Sequence, residues 1–141
     1  MIEKLGNLWT FPADVRIITT NGSVRRDGCA VMGRGVARDA ATRYPSLPKT
    51  LGTLLTNLGN HVFDLRQAYG LMTFPVKHHW SQRADIPLIY QSMRELHDKI
   101  DPGQRYVMVR PGCGNGRLQW SDVRPLLERL PNNVIVLEYR P

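Results

Sequence analysis

The chain has little cysteine, few carboxylates and no long apolar run, and each shortage narrows the class of protein. Its two cysteines, Cys29 and Cys113, are far apart in sequence and have no partner at metal-ligand spacing. Neither a disulfide framework nor a zinc site is expected, and no metal or cofactor is implied. No apolar stretch approaches the roughly 20 residues of a membrane-spanning helix. The opening Met-Ile-Glu-Lys-Leu-Gly lacks the basic segment and apolar core of a signal peptide. The expectation is a cytoplasmic protein with no membrane contact. Carboxylates are scarce too: 12 Asp and Glu stand against 19 Lys and Arg, a formal charge of +7. Such a surplus favours polyanionic ligands, whether nucleotides, nucleic acid or phosphorylated products, and does not choose among them. The basic residues are scattered, and no nucleic-acid-binding motif accompanies them.

What the chain does have is enough apolar residues, 42% of 141, for one compact core. No linker, repeat or low-complexity segment divides it, so a single domain over residues 1–141 is expected, acting as a monomer. Val15 to Thr20 is β-branched and stops at Asn21-Gly22, which reads as a strand and its closing turn. Val36 to Tyr44 and Pro48 to Leu58 have helical spacing, the second weakened by its internal Gly52. His61 to Leu65 and Tyr69 to Phe74 read as neighbouring strands, and Asp85 to Ile100 as an amphipathic helix. Tyr106 to Val109 and Val134 to Glu138 read as strands, separated by a helix that Ser121 caps and that carries Val123, Leu126, Leu127 and Leu130. Strands alternating with helices, several of them without the in-and-out pattern of a half-exposed sheet, predict a three-layer α/β/α domain.

Two glycine-rich stretches stand out. Asn21 to Val36 contains Gly22, Gly28, Gly33 and Gly35 and runs into the first predicted helix. Gly112-Cys113-Gly114-Asn115-Gly116 follows the Tyr106 to Val109 strand and precedes another helix. Glycine lets backbone approach a ligand closely, and a helix start offers unpaired N–H groups to an anion. Neither stretch matches the P-loop or the dinucleotide-binding pattern. Each alone is equally compatible with an ordinary tight connection; two such loops at strand ends in one small domain point to an anion site.

In order and spacing these segments resemble the macrodomain family across nearly the whole chain. Gly6-Asn7-Leu8 is similar to its opening motif, and Ile18-Thr19-Thr20-Asn21 to the strand ending in a ribose-binding asparagine. Ala30-Val31-Met32-Gly33-Arg34-Gly35-Val36-Ala37 resembles its first phosphate loop, and Gly112 to Gly116 with Leu118-Gln119-Trp120 the second. The resemblance implies a macrodomain with a central mixed sheet that binds ADP-ribose. It places Asn7 near the adenine, Asn21 at the distal ribose, and Met32, Gly33, Arg34, Gly35, Val36, Gly112, Cys113, Gly114, Asn115 and Gly116 around the diphosphate, with Leu8 also among the ligand-binding residues.

Within that family, Phe74-Pro75-Val76-Lys77-His78-His79-Trp80 resembles the catalytic-lysine segment of the antitoxins that remove ADP-ribose from DNA, with Lys77 matching the lysine. That implies a mono-ADP-ribosyl hydrolase acting on modified DNA, with single-stranded DNA as the substrate partner, or on modified protein. A non-catalytic ADP-ribose reader and an ADP-ribose 1″-phosphate phosphatase remain as alternatives. One position departs: eukaryotic terminal ADP-ribose glycohydrolases carry an aspartate where this chain has Gly116. His78 and His79, adjacent on an extended chain, are not expected to share a metal. Cys113 reads as structural, and Trp80 and Trp120 as core aromatics or as platforms for a base or sugar.

Overall fold

The computed structural model describes residues 1–141, arranged as one six-stranded sheet with helices on both faces. In chain order the elements are β1 (Ile2–Gly6), β2 (Val15–Asn21), α1 (Gly35–Arg43), α2 (Leu47–Leu58), β3 (Asp64–Leu65) and α3 (Arg66–Tyr69). They continue with β4 (Leu71–Lys77), α4 (Ile86–His97), β5 (Tyr106–Val109), α5 (Trp120–Val123), a 3-10 turn over Arg124–Leu127, and β6 (Val134–Tyr139). The sheet order is β1-β6-β5-β2-β4-β3. Every pairing is parallel except β3 with β4, which makes the sheet mixed, as expected.

Consecutive residues of β2 explain the missing alternation in the sequence. Ile17 packs with Met72, Phe74 and Met108 against α4 and the α5 region, whereas Ile18 packs on the opposite face against α1 and α2. A strand covered on both sides has no polar face to show. On α4, Ile89, Met93 and Leu96 are at most 1% exposed; burying each is worth about 1.5–3 kcal/mol, which fixes α4 against β4. Asp85 caps that helix, its Oδ2 accepting from the Leu88 amide at 3.1 Å.

Four details differ from expectation, each through contacts that local sequence does not carry. β1 is exposed along most of its length, and its strand geometry comes from parallel pairing with β6, more than 130 residues away. Only Asp64 and Leu65 of the His61 to Leu65 run pair as a strand; Phe63 instead donates its amide to Thr73 Oγ1 at 2.8 Å. The Arg66–Tyr69 segment forms a helical turn, so the next strand starts at Leu71 and not Tyr69. Ser121 lies inside α5, whose cap position is Gln119, and the helix tightens into the 3-10 turn where Pro125 has no N–H to continue it. Gly52, by contrast, has a definite use. A Cβ there would stand 1.9 Å from the Gly28 carbonyl oxygen, so its absence lets α2 lie directly against the loop at Gly28–Ala30. The amide of Ala30 completes that junction by donating to Pro48 O at 2.8 Å.

Candidate functional site

The C-terminal ends of β6, β5, β2 and β4 lie side by side and form the floor of a cleft of about 700 Å³. Thr19–Asn21, Val76–Lys77, Val109–Arg110 and Leu137–Tyr139 all line it. Chain connections diverge here: β2 leads to the helices on one face, β5 to the helix on the other. A parallel sheet leaves a crevice where its connections part in this way, and ligands bind there.

The cleft is walled by the two glycine-rich loops. The 33–37 segment enters α1, whose cap residue Arg34 makes no side-chain hydrogen bond and whose first turn holds no acidic residue. The amides of Gly33 through Ala37 donate to no protein acceptor; the first amide of the helix to do so is Arg38, to Arg34 O. Across the cleft the amides of Gly114, Asn115 and Gly116 are likewise without an acceptor, while Arg117 and Leu118 turn back to Gly114 O and Gly112 O. Clustered free N–H groups beside a helix start form a cradle for an anion.

The glycines divide by purpose. Gly112 has φ +76 and Gly35 φ +57, conformations that other residues adopt with strain. At Gly116 a Cβ would lie 2.5 Å from Gly112 O and 2.7 Å from Ala84 Cβ, so packing excludes any side chain. That accounts for the departure noted at this position: an aspartate could not be carried there without displacing the loop. Gly33 and Gly114 are different. A Cβ on either meets nothing within 4 Å, and neither has positive φ, so nothing in the protein demands glycine. Both border the cleft, where a side chain would take up ligand space.

Lys77 sits at the end of β4 opposite Asn21, where the pairing with β2 slips: Thr20 faces Pro75 and Asn21 faces Lys77, leaving Val76 out of register. Three carbonyls around the slip are held from outside the β2 ladder. Pro75 O accepts from the buried Ser92 hydroxyl at 2.7 Å, Val76 O from the Asp85 amide at 2.8 Å, and Lys77 O from Asn60 Nδ2 at 3.0 Å. The Lys77 amine lines the cleft, makes one long hydrogen bond to Trp80 O at 3.4 Å, and enters no salt bridge. Burial, and then the neighbouring charges of Arg117 and Arg34, hold its proton affinity below that of an ordinary lysine.

Of the residues anticipated from sequence, Asn21, Gly33, Arg34, Gly35, Val36, Lys77 and all five of Gly112 to Gly116 meet in this cleft. Asn21 also braces the loop, donating to Val31 O at 3.0 Å and accepting from Ser23 N at 2.9 Å. Asn7, Leu8 and Met32 are not part of the lining. The Asn7 side chain accepts from the Trp9 amide at 2.8 Å, and Leu8 and Met32 are buried in the core under α1 and α2. Burial raises the Cys113 thiol above its usual range, which suits a packing role. His78 and His79 lie beyond the strand end and turn to separate partners, Asp85 Oδ2 at 3.1 Å and Ser81 Oγ at 2.7 Å. Trp80 is not a core residue; it is 48% exposed. Sequence reasoning missed Asp39, Glu138 and Tyr139 on the cleft wall. Asp39 lies one helical turn beyond Gly35, a spacing that would have pointed to it.

The architecture matches known structures along its whole length. The macrodomain of Mycobacterium tuberculosis DarG superposes with a TM-score of 0.77 at 25% identity, covering 99% of this chain and 97% of that one. The macrodomain of Thermus aquaticus DarG gives 0.78, also at 25% identity and with the same coverage. This chain has the macrodomain fold and is similar to the macrodomains of DarG. Thermosipho africanus DarTG, solved in complex with ADP-ribose, shares the macrodomain fold with a TM-score of 0.75 at 20% identity, over 99% of this chain and 42% of that one. Among curated proteins, the sequence is 26% identical over 81% of its length to a DNA ADP-ribosyl transferase–DNA ADP-ribosyl glycohydrolase fusion protein of Thermosipho africanus. It is 27% identical over 87% to a DNA ADP-ribosyl glycohydrolase of Thermus aquaticus. The macrodomain spans about a third of the length of these curated relatives, 35% in each case. No protein-family model matches the sequence, and no helix is long and apolar enough to cross a membrane.

Proposed function

We propose that this macrodomain binds ADP-ribose and removes it from modified DNA, with Lys77 as the reacting group. The observation that carries the reading is the placement of one unpaired amine, of lowered proton affinity, on the wall of a cleft whose two loops present free backbone N–H groups. The diphosphate lies between residues 33–37 and 114–116, and its charge is met by N–H dipoles and the start of α1. That anchors the distal ribose at the Asn21–Lys77 end. The similarity to proteins named as DNA ADP-ribosyl glycohydrolases supports DNA as the carrier of the modification.

The chemistry follows from a neutral amine held against the anomeric carbon. Lys77 Nζ bonds to C1″ as the bond from C1″ to the base breaks, and the electron pair leaves with the base. The departing base takes the proton that the alkylated amine must lose. Water then displaces lysine, regenerating the amine and releasing ADP-ribose. Binding serves the rate by keeping C1″ within about 3.5 Å of the amine. No carboxylate pairs with Lys77, and packing bars one from position 116. Water and the leaving base carry the protons.

The test is a turnover screen preceded by an ADP-ribose titration. Release of ADP-ribose from modified single-stranded DNA is expected. Binding without turnover of any modified DNA or protein would make the macrodomain a reader, and release of inorganic phosphate from ADP-ribose 1″-phosphate would make it a phosphatase. Failure to bind ADP-ribose at millimolar concentration would remove the basis of all three.

A further inference from the structure

The second glycine-rich loop ends on the only residue of the chain that holds a left-handed backbone without being glycine. Arg117 has φ +64. Gly112, where the loop opens, has φ +76 and as a glycine takes that conformation freely; at the closing end an arginine takes it, against the crowding of its Cβ by the following carbonyl. Backbone strain of this kind persists only where surrounding contacts enforce it, and it gathers at functional sites.

The enforcing contacts come from the segment that follows Lys77. Arg83 donates from Nη2 to Arg117 O at 3.0 Å, and the amide of Ala84 donates to Gly116 O at 3.0 Å. Two consecutive carbonyls of the loop are thus held by two consecutive residues. The next residue, Asp85, turns the other way and donates its amide to Val76 O at the strand slip. Residues 83–85 therefore staple the loop to the strand end that carries Lys77. Within the loop, the Arg117 amide donates to Gly114 O at 3.0 Å and the Leu118 amide to Gly112 O at 2.9 Å. The left-handed turn at Arg117 lets Leu118 reach back to Gly112, and this closure keeps the amides of 114–116 free on the cleft wall. Arg83 is exposed, and its guanidinium has no salt bridge and no second hydrogen bond. A hydrogen bond of that kind is ordinarily a minor surface contact. Here it grips the one residue of the loop whose conformation needs support.

We propose that Arg83 is a positioning residue for the diphosphate cradle: by holding Arg117 O it keeps the loop in the left-handed closure that turns the amides of 114–116 toward the ligand. The inference rests on the functional reading above for what the cradle binds. It adds a residue that touches no ligand and sets the shape of the loop that does.

The experiment is a double-mutant cycle between Arg83→Ala and Arg117→Asn, with Arg83→Lys as the conservative control. Asparagine tolerates the left-handed conformation, so Arg117→Asn removes the strain that Arg83 restrains. ADP-ribose Kd is read by calorimetric titration, and loop closure by deuterium exchange at the Leu118 amide, which needs no ligand. Arg83→Ala should weaken ADP-ribose binding by roughly 5-fold or more, the low end of what a strained residue costs in competent population once its support is gone. Leu118 exchange should quicken by a similar factor. Arg83→Lys keeps a donor and should restore most of both. In the Arg117→Asn background, Arg83→Ala should change neither by more than about 2-fold, the spread expected of uncoupled sites. An unchanged Kd in Arg83→Ala, whatever its Tm, or equal losses in the two backgrounds, would overturn the assignment. Its failure is separable from that of the functional reading. An intact protein that binds no ADP-ribose defeats that reading, while Leu118 exchange still decides whether Arg83 holds the loop; ADP-ribose bound equally by intact protein and Arg83→Ala sinks the role of Arg83 alone.

Discussion

Substituting two glycines of one loop should separate ligand space from packing space. Gly114 has negative φ, and a Cβ on it meets nothing within 4 Å. Gly114→Ala therefore removes unfolded-state freedom without strain and should stabilise by about 0.4–1 kcal/mol. Gly116→Ala places its Cβ 2.5 Å from the Gly112 carbonyl oxygen, a backbone atom that cannot swing aside. Overpacking of that kind costs about 1–3 kcal/mol. With about 2.1 cal/mol/K of unfolding entropy per residue, 141 residues give a Tm change of about 3 °C per kcal/mol. Gly114→Ala should thus raise Tm by about 1–3 °C and Gly116→Ala lower it by about 3–10 °C. ADP-ribose affinity should fall in Gly114→Ala despite the firmer fold. The methyl group keeps the diphosphate from the amides of 114–116, and one lost hydrogen bond to a charged group is worth about 1.5–3 kcal/mol, roughly 10- to 140-fold in Kd. Differential scanning fluorimetry and calorimetric titration read the two effects. A Gly114→Ala protein with higher Tm and unchanged Kd would refute the placement of the diphosphate.

Two further expectations concern Lys77. Its folded-state proton affinity is lowered, so the neutral amine is populated at lower pH than for a free lysine, and kcat should rise with pH through that lowered value. Arg117→Ala removes one of the charges responsible and should move the rising limb to higher pH; a fixed profile would exclude that charge from the tuning. By the same linkage the unfolded chain holds more protons between the lowered value and 10.5, so stability from this group should increase with pH across that window, read from urea midpoints. Ser92→Ala and Asn60→Ala each free one carbonyl at the strand slip, and should reduce kcat more than ADP-ribose affinity. Equal losses in both would mark them as purely structural.

The fold was legible wherever local periodicity matched the final environment. β2, α4 and β5 carry their burial in adjacent residues and were read nearly to their ends. β1 was not, because its strand identity comes from pairing with β6, and the apolar spacing of the α5 region suggests one longer helix, which Pro125 cuts short because it has no N–H to continue the ladder. The site was half legible. Glycines in the two loops signalled an anion cradle by composition, yet the opposite wall, with Asp39, Glu138 and Tyr139, depends on a sheet order that brings β6 beside β5. Lys77 could be singled out only through the resemblance of its segment, since what distinguishes it physically is the slip at Pro75–Lys77, the three captured carbonyls and the lack of a carboxylate partner. Gly116, an unexplained departure in sequence, became in three dimensions a position closed by Gly112 O and Ala84.

The most direct measurement of the central claim compares intact protein with Lys77→Ala on ADP-ribosylated single-stranded DNA, with ADP-ribose Kd determined for both. In the proposed placement the amine meets only the reacting carbon of the ligand, so turnover should fall by at least roughly 100-fold, about 2.7 kcal/mol of lost transition-state stabilisation, while Kd changes little. Retained turnover in Lys77→Ala, with ADP-ribose still bound, would contradict the account.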